Sequence, residues 1–186
     1  MEIQKKSIVI AVTGSIAAYR ACELTRNLSK AGYPVRVMMT KNAEYFVGSA
    51  TFQALSGRRV YTNNWDEGMI HMDVKQEAAL FAVVPATANI IGKFAAGIAD
   101  DVVSSSFLAV KCPVIIAPSM NPGMYASRAV QRNLALLKSD GILFIDPKDG
   151  EAVDGETGPG KLADISVIEN FLIKLYQKET GFSPAV

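Results

Sequence analysis

The chain has 186 residues, of which 19 are Lys or Arg and 18 are Asp or Glu, so its formal net charge is +1. Apolar residues make up 49% of the sequence and charged residues 20%, which excludes a disordered or collagen-like chain. Nucleic-acid binding is not expected, because it usually needs a concentrated basic face. A chain of this length can bury one hydrophobic core. We therefore predict a single domain over residues 1–186, with its core at about 6–176 and a fraying tail at 177–186.

The spacing of the cysteines and the length of the apolar runs indicate the cellular compartment of the protein. Cys22 and Cys112 lack the paired spacing of a zinc site or of a disulfide framework. The apolar run at residues 8–12 is too short for a membrane span or a secretory signal. We therefore predict a soluble, cytoplasmic protein in a reducing compartment, with no membrane partner.

Short apolar runs recur along the chain and predict strands. They lie at residues 8–12, 35–39, 80–84, 114–117 and 142–145. Because polar residues do not alternate within them, we expect strands buried on both faces, as in a parallel sheet. Helical spacing separates the runs, first from Ala17 to Ala31, stopping at Gly32, and last over residues 165–176. The alternation predicts an α/β fold: one doubly wound, Rossmann-like or flavodoxin-like domain with a central parallel sheet flanked by helices.

The segment after the first predicted strand is suited to binding a phosphate. Residues 13–18 read Thr-Gly-Ser-Ile-Ala-Ala, in which a glycine permits a tight turn and a hydroxyl precedes a helix. Ile16 stands where the dinucleotide fingerprint needs a second glycine, and the segment lacks the lysine of a P-loop. No acidic residue follows the second strand to bind a ribose. A mononucleotide with a terminal phosphate therefore fits best, the alternative being that Ser15 only caps the helix.

Proline follows the third and the fourth apolar runs. The segments read Pro-Ala-Thr-Ala-Asn at 85–89 and Pro-Ser-Met-Asn-Pro-Gly-Met-Tyr at 118–125. We expect each proline to end its strand and the small residues after it to let a flat ligand approach the backbone. Asn121 could offer its amide to a carboxylate, although asparagine in such a segment also serves as a turn or capping residue.

His71 is the one histidine of the sequence. Its imidazole can transfer protons near neutral pH, with Asp73 or a backbone carbonyl to orient it. The alternative is an exposed loop histidine without a catalytic role. With no second histidine and no paired cysteines, we expect no metal site.

Together these motifs resemble the flavin-dependent cysteine decarboxylases, and within them the phosphopantothenoylcysteine decarboxylases of coenzyme A biosynthesis. The resemblance runs from residue 8 to residue 161 and rests on the order and spacing of five segments. These are residues 14–19, His71 with Asp73, 85–89, 97–101 (Gly-Ile-Ala-Asp-Asp) and 118–125. Tyr125 stands where the family usually has tryptophan.

The resemblance implies FMN as the cofactor and assigns roles around it. Its phosphate would be held by Gly14, Ser15 and Ile16, aided by Thr40, Lys41 and Asn42. The flavin would be contacted by Thr87, Ala88, Asn89, Ile90 and Ser119. His71 would be the base or proton shuttle, Asn121 would bind the substrate carboxylate, Met120 and Met124 would shape the pocket, and Lys161 would belong to the substrate site. The family also implies a homo-oligomer, a trimer or a multiple of trimers, with its sites where subunits meet.

The implied reaction is decarboxylation of the cysteine moiety of 4′-phosphopantothenoylcysteine. Oxidation of the cysteine to a thioaldehyde creates an electron sink next to Cα, so that carbon dioxide can leave and an enethiol remains. In the coenzyme A enzymes the reduced flavin then returns a hydride, while a cysteine in a mobile flap supplies the proton.

The flap, at about residues 148–162, departs from the family pattern at one position. Asp154 replaces the expected cysteine, whereas the glycines after it and Lys161 are kept. A free aspartate has a pKa of about 3.9 against about 8.5 for a thiol, so at neutral pH it ordinarily holds no proton to give. Either Asp154 is a catalytic residue that works protonated in a closed flap, or the reaction stops at the enethiol.

Two alternatives remain open on the sequence. One is an oxidative peptidyl-cysteine decarboxylase that acts on a C-terminal cysteine peptide, and the other is a flavin-binding regulatory subunit without turnover. His71 and Asn121 argue against a flavin prenyltransferase, which shares the fold. The failed glycine fingerprint argues against a nicotinamide-dependent dehydrogenase.

Overall fold

The structure, a computed structural model, describes residues 6–65, 68–153 and 155–184. The central sheet consists of β1 (Ser7–Val12), β2 (Val35–Met39), β3 (Ala78–Ala86), β4 (Val114–Pro118) and β5 (Leu143–Phe144). All its strands pair in parallel, in the order β2-β1-β3-β4-β5. Two further strands, β6 (Lys148–Glu151) and β7 (Thr157–Lys161), pair antiparallel as a hairpin.

Helices connect the strands and cover the sheet. They are α1 (Ala18–Lys30), α2 (Ser49–Ser56), α3 (Ile70–Glu77), α4 (Ala88–Ala96), α5 (Val102–Ala109), α6 (Pro122–Ala126), α7 (Arg128–Ser139) and α8 (Ile165–Thr180). A 3-10 helix, Lys41–Tyr45, follows β2.

Both faces of the sheet are buried, because successive side chains of a strand point to opposite sides. Ile8, Ile10 and Val12 of β1 pack with residues of α1, α2 and α8 in one apolar cluster. Val9 and Ala11 of the same strand pack with residues of α3, α4, α5 and α7 in a second cluster. This two-sided burial explains why the strands read as unbroken apolar runs.

The strand order reverses at β1, since the chain moves from β1 outward to β2 and then returns to pair β3 on the other side. In such a sheet, ligands bind outside the carboxyl ends of the strands at this reversal, here between β1 and β3. The doubly wound, flavodoxin-like fold predicted from the sequence is confirmed.

Two boundaries differ from the expected ones. β4 ends at Pro118 as expected, whereas β3 continues one residue past Pro85. Ala86 pairs with Pro118 across a register shift, where the ladder is already irregular. α8 continues beyond residue 176 to Thr180, and its C-cap is Gly181, whose φ is +67°. The ring of Phe182 then packs edge-on against Tyr33 and Tyr176, so the described part of the tail is packed rather than frayed.

Within the described ranges, no helix has both the length and the apolar composition that crossing a membrane requires.

Candidate functional site

A cavity of about 950 Å³ opens at the carboxyl edge of the sheet, where β1 and β3 end. Its walls come from the loops after β1 and β4, the 3-10 helix after β2, the start of α4, the hairpin and the segment before α8. Parallel strands bring these distant segments to one edge. The positions assigned by resemblance that line the cavity are Gly14, Ser15, Ile16, Thr40, Lys41, Asn42, Thr87, Ala88, Asn89, Ile90, Ser119, Met120, Asn121, Met124 and Lys161.

Thr13 joins the two strands at the floor of the cavity. Its hydroxyl donates to the carbonyl of Pro85 at 2.8 Å and accepts from the backbone N–H of Thr87 at 3.1 Å. Thr87 is in turn the N-cap of α4, and its Oγ1 accepts from the N–H of Ile90 at 3.4 Å. Since Thr13 is only 1% exposed, these bonds fix the distance between β1 and β3 away from solvent.

The loop after β1 approaches the segment after β2 closely. A Cβ at Gly14 would lie 2.7 Å from Cβ of Asn42, so only glycine fits there. Ser15 Oγ accepts from the N–H of Ala17 at 3.2 Å and lies 3.2 Å from Ser119 Oγ. The N-cap of α1 is Ala17 and no side chain caps it, so the alternative that Ser15 caps the helix is wrong. Ser15 lines the cavity, and its role in phosphate binding stays a prediction.

Thr40 carries a buried polar atom with no partner. Its Oγ1 is buried and forms no hydrogen bond with any residue that the structure describes. Buried hydroxyls are normally paired, because an unpaired one keeps the cost of leaving water. Thr40 lines the cavity beside Lys41 and Gly14, where an anionic ligand can accept this hydrogen bond.

An ion triad stands at the far end of α4. Lys93 Nζ lies 2.6 Å from Asp100 and 2.7 Å from Asp101, and Asp101 also accepts from the N–H groups of Val103 and Ser104 as the N-cap of α5. Burial lowers the pKa of Lys93, but hydrogen bonds to both carboxylates outweigh it and raise the pKa overall. The hydrogen bond from Lys93 also lowers the pKa of Asp100. The triad ties α4 to α5 beside the cavity.

Asn121 is held by the start of its own helix. Its Oδ1 accepts from the N–H groups of Gly123 at 2.7 Å and Met124 at 3.2 Å, which makes it the N-cap of α6. The capping role expected as an alternative is therefore present. Because Oδ1 faces the backbone, Nδ2 is the donor side of this amide, and Asn121 lines the cavity.

The hairpin forms one wall of the cavity and brings two cations to it, and α1 adds a third. Lys148 of β6 lies opposite Lys161 of β7, and Lys148 forms an ion pair with Asp164. Arg20, in the first turn of α1, lines the same cavity. The pKa of Asp164 is lowered, first by the hydrogen bond from Lys148 and further by the charges of Lys148, Arg20 and Lys161.

His71 is not among the residues that line the cavity in this single chain. It lies in the first turn of α3 and is partly buried, so it is not an exposed loop histidine. Asp154 lies outside the described residues. Within the described ranges, no three His, Cys, Asp or Glu side chains are grouped so that they could hold a metal ion.

Several cavity residues escaped the sequence analysis: Arg20, Lys93, Asp101, Lys148 and Asp164. Asp101 belongs to the segment 97–101 that carries the resemblance, so the sequence could have indicated a role for it. It could also have indicated Arg20, which lies one helical turn after the phosphate loop. Lys148 and Asp164 could not be identified from the sequence, because no sequence pattern indicates that these two residues, on opposite sides of the flap, form an ion pair.

Comparison with known proteins identifies the family. The family model described as Flavoprotein matches residues 1–177. The coenzyme A biosynthesis bifunctional protein CoaBC of Bacillus subtilis (strain 168) is 43% identical over 183 residues, which are 96% of this chain and 45% of that protein. A Streptococcus mutans serotype c protein named "Probable phosphopantothenoylcysteine decarboxylase" is 41% identical over 88% of this chain and 94% of its own length. The chain thus spans less than half the length of its bifunctional relatives.

Solved structures agree with this assignment. The FMN-dependent cysteine decarboxylase SpaF superposes with a TM-score of 0.79 at 32% identity, over 92% of this chain and 98% of its own. A PPC decarboxylase mutant complexed with pantothenoylaminoethenethiol superposes with a TM-score of 0.86 at 25% identity, over 94% of this chain and 99% of its own. The resemblance inferred from the motifs is confirmed: the chain belongs to the Flavoprotein family, and it is similar to FMN-dependent cysteine decarboxylases of known structure.

Proposed function

We propose that the chain binds FMN and decarboxylates the cysteine moiety of phosphopantothenoylcysteine in coenzyme A biosynthesis. One observation carries the proposal: the cofactor and substrate positions assigned by resemblance, His71 and Asp154 apart, line one cavity at the strand reversal. The names of the CoaBC relatives and of the PPC decarboxylase neighbour support the choice of substrate.

The residues at the β1 end of the cavity fit the phosphate of FMN. The unpaired hydroxyl of Thr40 offers a donor, Lys41 offers a charge, and Gly14 allows the close approach. Ser15 and Ser119 would complete the hydroxyl lining, with residues 87–90 beside the flavin. When bound, FMN supplies a two-electron oxidant that converts the cysteine side chain to a thioaldehyde, next to which carbon dioxide can leave as from a β-keto acid.

The chain's own residues orient the substrate for this loss. Asn121 would bind the carboxylate through Nδ2, because Oδ1 accepts hydrogen bonds from the backbone of α6. Met120 and Met124 give that end of the cavity an apolar lining, which favours departure of the neutral carbon dioxide. Lys161 holds the substrate from the hairpin side.

We also propose that a second copy of the chain completes each site with His71, in a homo-oligomer that is a trimer or a multiple of trimers. The support is that His71, the proposed base or proton shuttle, is outside the cavity of its own chain. Co-expression of His71→Asn and Asn121→Ala chains tests this. Each variant alone should release no carbon dioxide while keeping bound FMN, and mixed oligomers should regain part of the activity. A mixture as inactive as its parents would contradict the shared site.

Asp154 favours a second candidate function, in which the reaction stops at the enethiol. The product would then be of the kind that an oxidative peptidyl-cysteine decarboxylase forms. The FMN-loaded protein should be incubated in air with phosphopantothenoylcysteine and with a C-terminal cysteine peptide, and the products weighed. Oxygen then reoxidises the flavin that an enethiol product leaves reduced. We expect turnover of phosphopantothenoylcysteine, and Asp154→Cys should shift its product from the enethiol to the form with two more hydrogen atoms. Turnover of the peptide alone would replace the proposed substrate. If neither substrate loses carbon dioxide although FMN is bound, a regulatory flavin-binding subunit takes its place.

We place this reaction in the cytoplasm. The support is that Cys22 and Cys112 are both free thiols, as expected in a reducing compartment.

A further inference from the structure

The ion triad of Lys93, Asp100 and Asp101 is not used by the proposed function. Lys93 and Asp101 both line the cavity. The side chain of Lys93 is only 18% exposed, whereas lysine ordinarily keeps its charge in water unless it is paired. Because a charge held away from bulk water acts over several ångströms, the triad affects a ligand that binds beside it.

Lys93 lies one helical turn beyond the residues that we place beside the flavin. Asn89 and Ile90 precede it in α4 by four and three positions, and residues at these spacings share one face of a helix. All three residues line the cavity. The helical rise of about 1.5 Å per residue puts Cα of Lys93 about 6 Å beyond Cα of Asn89 along the axis, which a lysine side chain can span.

Two carboxylates hold the Lys93 ammonium in one place. Its Nζ lies 2.6 Å from Asp100 and 2.7 Å from Asp101. Asp101 is itself fixed, because its Oδ1 accepts from the backbone N–H groups of Val103 and Ser104. An ammonium group has three N–H donors, so one is left beyond the two that these carboxylates take. A charge fixed in this way needs little reorganisation when a neighbouring ligand changes its own charge.

The other cations of the cavity wall lie elsewhere. Lys41 follows β2, at the end that fits the FMN phosphate. Three more, two from the hairpin and one from α1, act on Asp164 at the hairpin end. Among the described residues, Lys93 is therefore the one cation that α4 and α5 bring to the cavity.

Oxidation of the substrate would add a charge to the flavin. Converting a thiol to a thioaldehyde removes two electrons and two protons. The electrons and one proton pass to the flavin as a hydride, and a base takes the other proton, so the flavin gains one negative charge. A fixed cation beside it stabilises the reduced form more than the oxidised form.

We propose that Lys93 acts on bound FMN and raises its reduction potential, and that Asp100 and Asp101 are positioning residues that hold the Lys93 ammonium at the cavity wall. The inference rests on the proposed function, which places the flavin beside residues 87–90. A triad that only joined α4 to α5 would affect the binding of oxidised and reduced FMN equally. The dependence of FMN binding on oxidation state therefore separates the two roles.

The test measures the affinity of the protein for oxidised FMN and the reduction potential of the bound cofactor, without substrate. Lys93→Met should leave the affinity for oxidised FMN within about twofold and weaken that for reduced FMN about tenfold, as expected for a unit charge about 10 Å away in an effective dielectric of about 20. For a two-electron couple, a tenfold change lowers the potential by about 30 mV. Lys93→Arg keeps the charge and should keep the potential.

Asp100→Asn should change the potential in the opposite direction. It removes a negative charge from the triad and leaves Asp101, the cap of α5, in place. Because the Asp100 side chain is 58% exposed, the potential should rise by less than Lys93→Met lowers it. The double variant of Lys93→Met and Asp100→Asn leaves no more net charge than the wild type, and its potential should lie between those of the single variants.

Lys138→Met is the matched control. Lys138 also pairs with a carboxylate, that of Asp146 at 3.6 Å, but it does not line the cavity. Its removal should leave the potential of bound FMN unchanged. If Lys93→Met does not fold, Asp100→Asn and the double variant decide the matter by the direction of their shifts.

The outcomes that overturn the proposal are specific. Equal weakening of oxidised and reduced FMN, or an unchanged potential in Lys93→Met and Asp100→Asn, would make the triad merely structural. Shifts of the same sign in both variants would show that its charge is not the cause.

This proposal and the proposed function fail separately. If carbon dioxide is released but the potential does not respond to these variants, the role of Lys93 is wrong and the decarboxylation stands. If the potential shifts as expected but no carbon dioxide is released, the role of Lys93 stands and the decarboxylation is wrong.

Discussion

The backbone N–H of Met120 donates to the carbonyl of Gly160 at 2.9 Å, which ties the loop after β4 to the hairpin. A Cβ at position 160 would lie 2.4 Å from the carbonyl oxygen of Met120, and the φ of Gly160 is +158°. The two backbones are therefore as close as they are because residue 160 has no side chain. Asn121 follows Met120 in the chain. The contact between Met120 and Gly160 therefore positions both the hairpin wall of the cavity and the side-chain amide of Asn121.

Gly160→Ala should push the hairpin away from the loop that carries Asn121. We expect a loss of kcat/KM of about 100-fold, because a displacement of about 1 Å in a positioning contact can cost that much. Steady-state kinetics with phosphopantothenoylcysteine measures it. Gly48→Ala is the control, since a Cβ there meets nothing within 4 Å and the φ is −69°. Activity at the control's level in Gly160→Ala would show that the hairpin does not position Asn121.

Thr13→Val should weaken the junction between β1 and β3. Valine keeps the shape but leaves the Pro85 carbonyl and the Thr87 N–H without their partner, at a cost of about 1–3 kcal/mol. Urea unfolding of the FMN-free protein measures the change. Thr51→Val, at an exposed position of α2, is the matched control and should leave the free energy of unfolding nearly unchanged. If the two variants unfold alike, the Thr13 bonds contribute nothing net.

Thr40→Val should separate cofactor binding from stability. Its Oγ1 has no partner among the described residues, so removing it should leave the FMN-free protein as stable as before, or about 1 kcal/mol more stable. Affinity for FMN should fall about 10-fold or more, because a hydrogen bond to a charged group is lost. Affinity for riboflavin, which lacks the phosphate, should not change. Fluorescence titration with both flavins gives the result, and an equal loss for both would place the phosphate elsewhere.

The sequence predicted the sheet because its strands are buried on both faces. The runs that contain Ile8 and Leu80 are apolar throughout. Their pattern therefore favours a buried parallel strand over an amphipathic helix or a strand with one exposed face. The hairpin was assigned only as a flap by resemblance. Its strands are built from Lys, Asp, Glu, Gly, Thr and Pro, which show no strand periodicity here and, apart from Thr, have little strand propensity.

The site was predictable where it follows a strand and unpredictable where tertiary contacts create it. Gly14, Thr87 and Asn121 come directly after strands, so the rule for parallel sheets gathers them. Lys148 and Asp164 meet only because the hairpin folds back onto the start of α8. His71 could be named from its chemistry, but it does not line the cavity of its own chain, and no sequence pattern indicates where it lies relative to that cavity.

The pH dependence of stability should carry a contribution from Cys112. Burial raises the pKa of its thiol to about 11, whereas an unfolded chain would have a thiol pKa of about 8.5. Between these values the unfolded state has lost the proton that the folded state keeps, so the free energy of unfolding falls as pH rises. The contribution is complete below about pH 8.5, is lost by about pH 11, and amounts to about 3 kcal/mol at most. Urea unfolding at pH 8 and pH 10 should show a steeper decrease for the wild type than for Cys112→Ala. Because the same lysines and tyrosines titrate in both proteins, only the difference between them reports the thiol, and parallel curves would mean that the buried thiol ionises as readily as an exposed one.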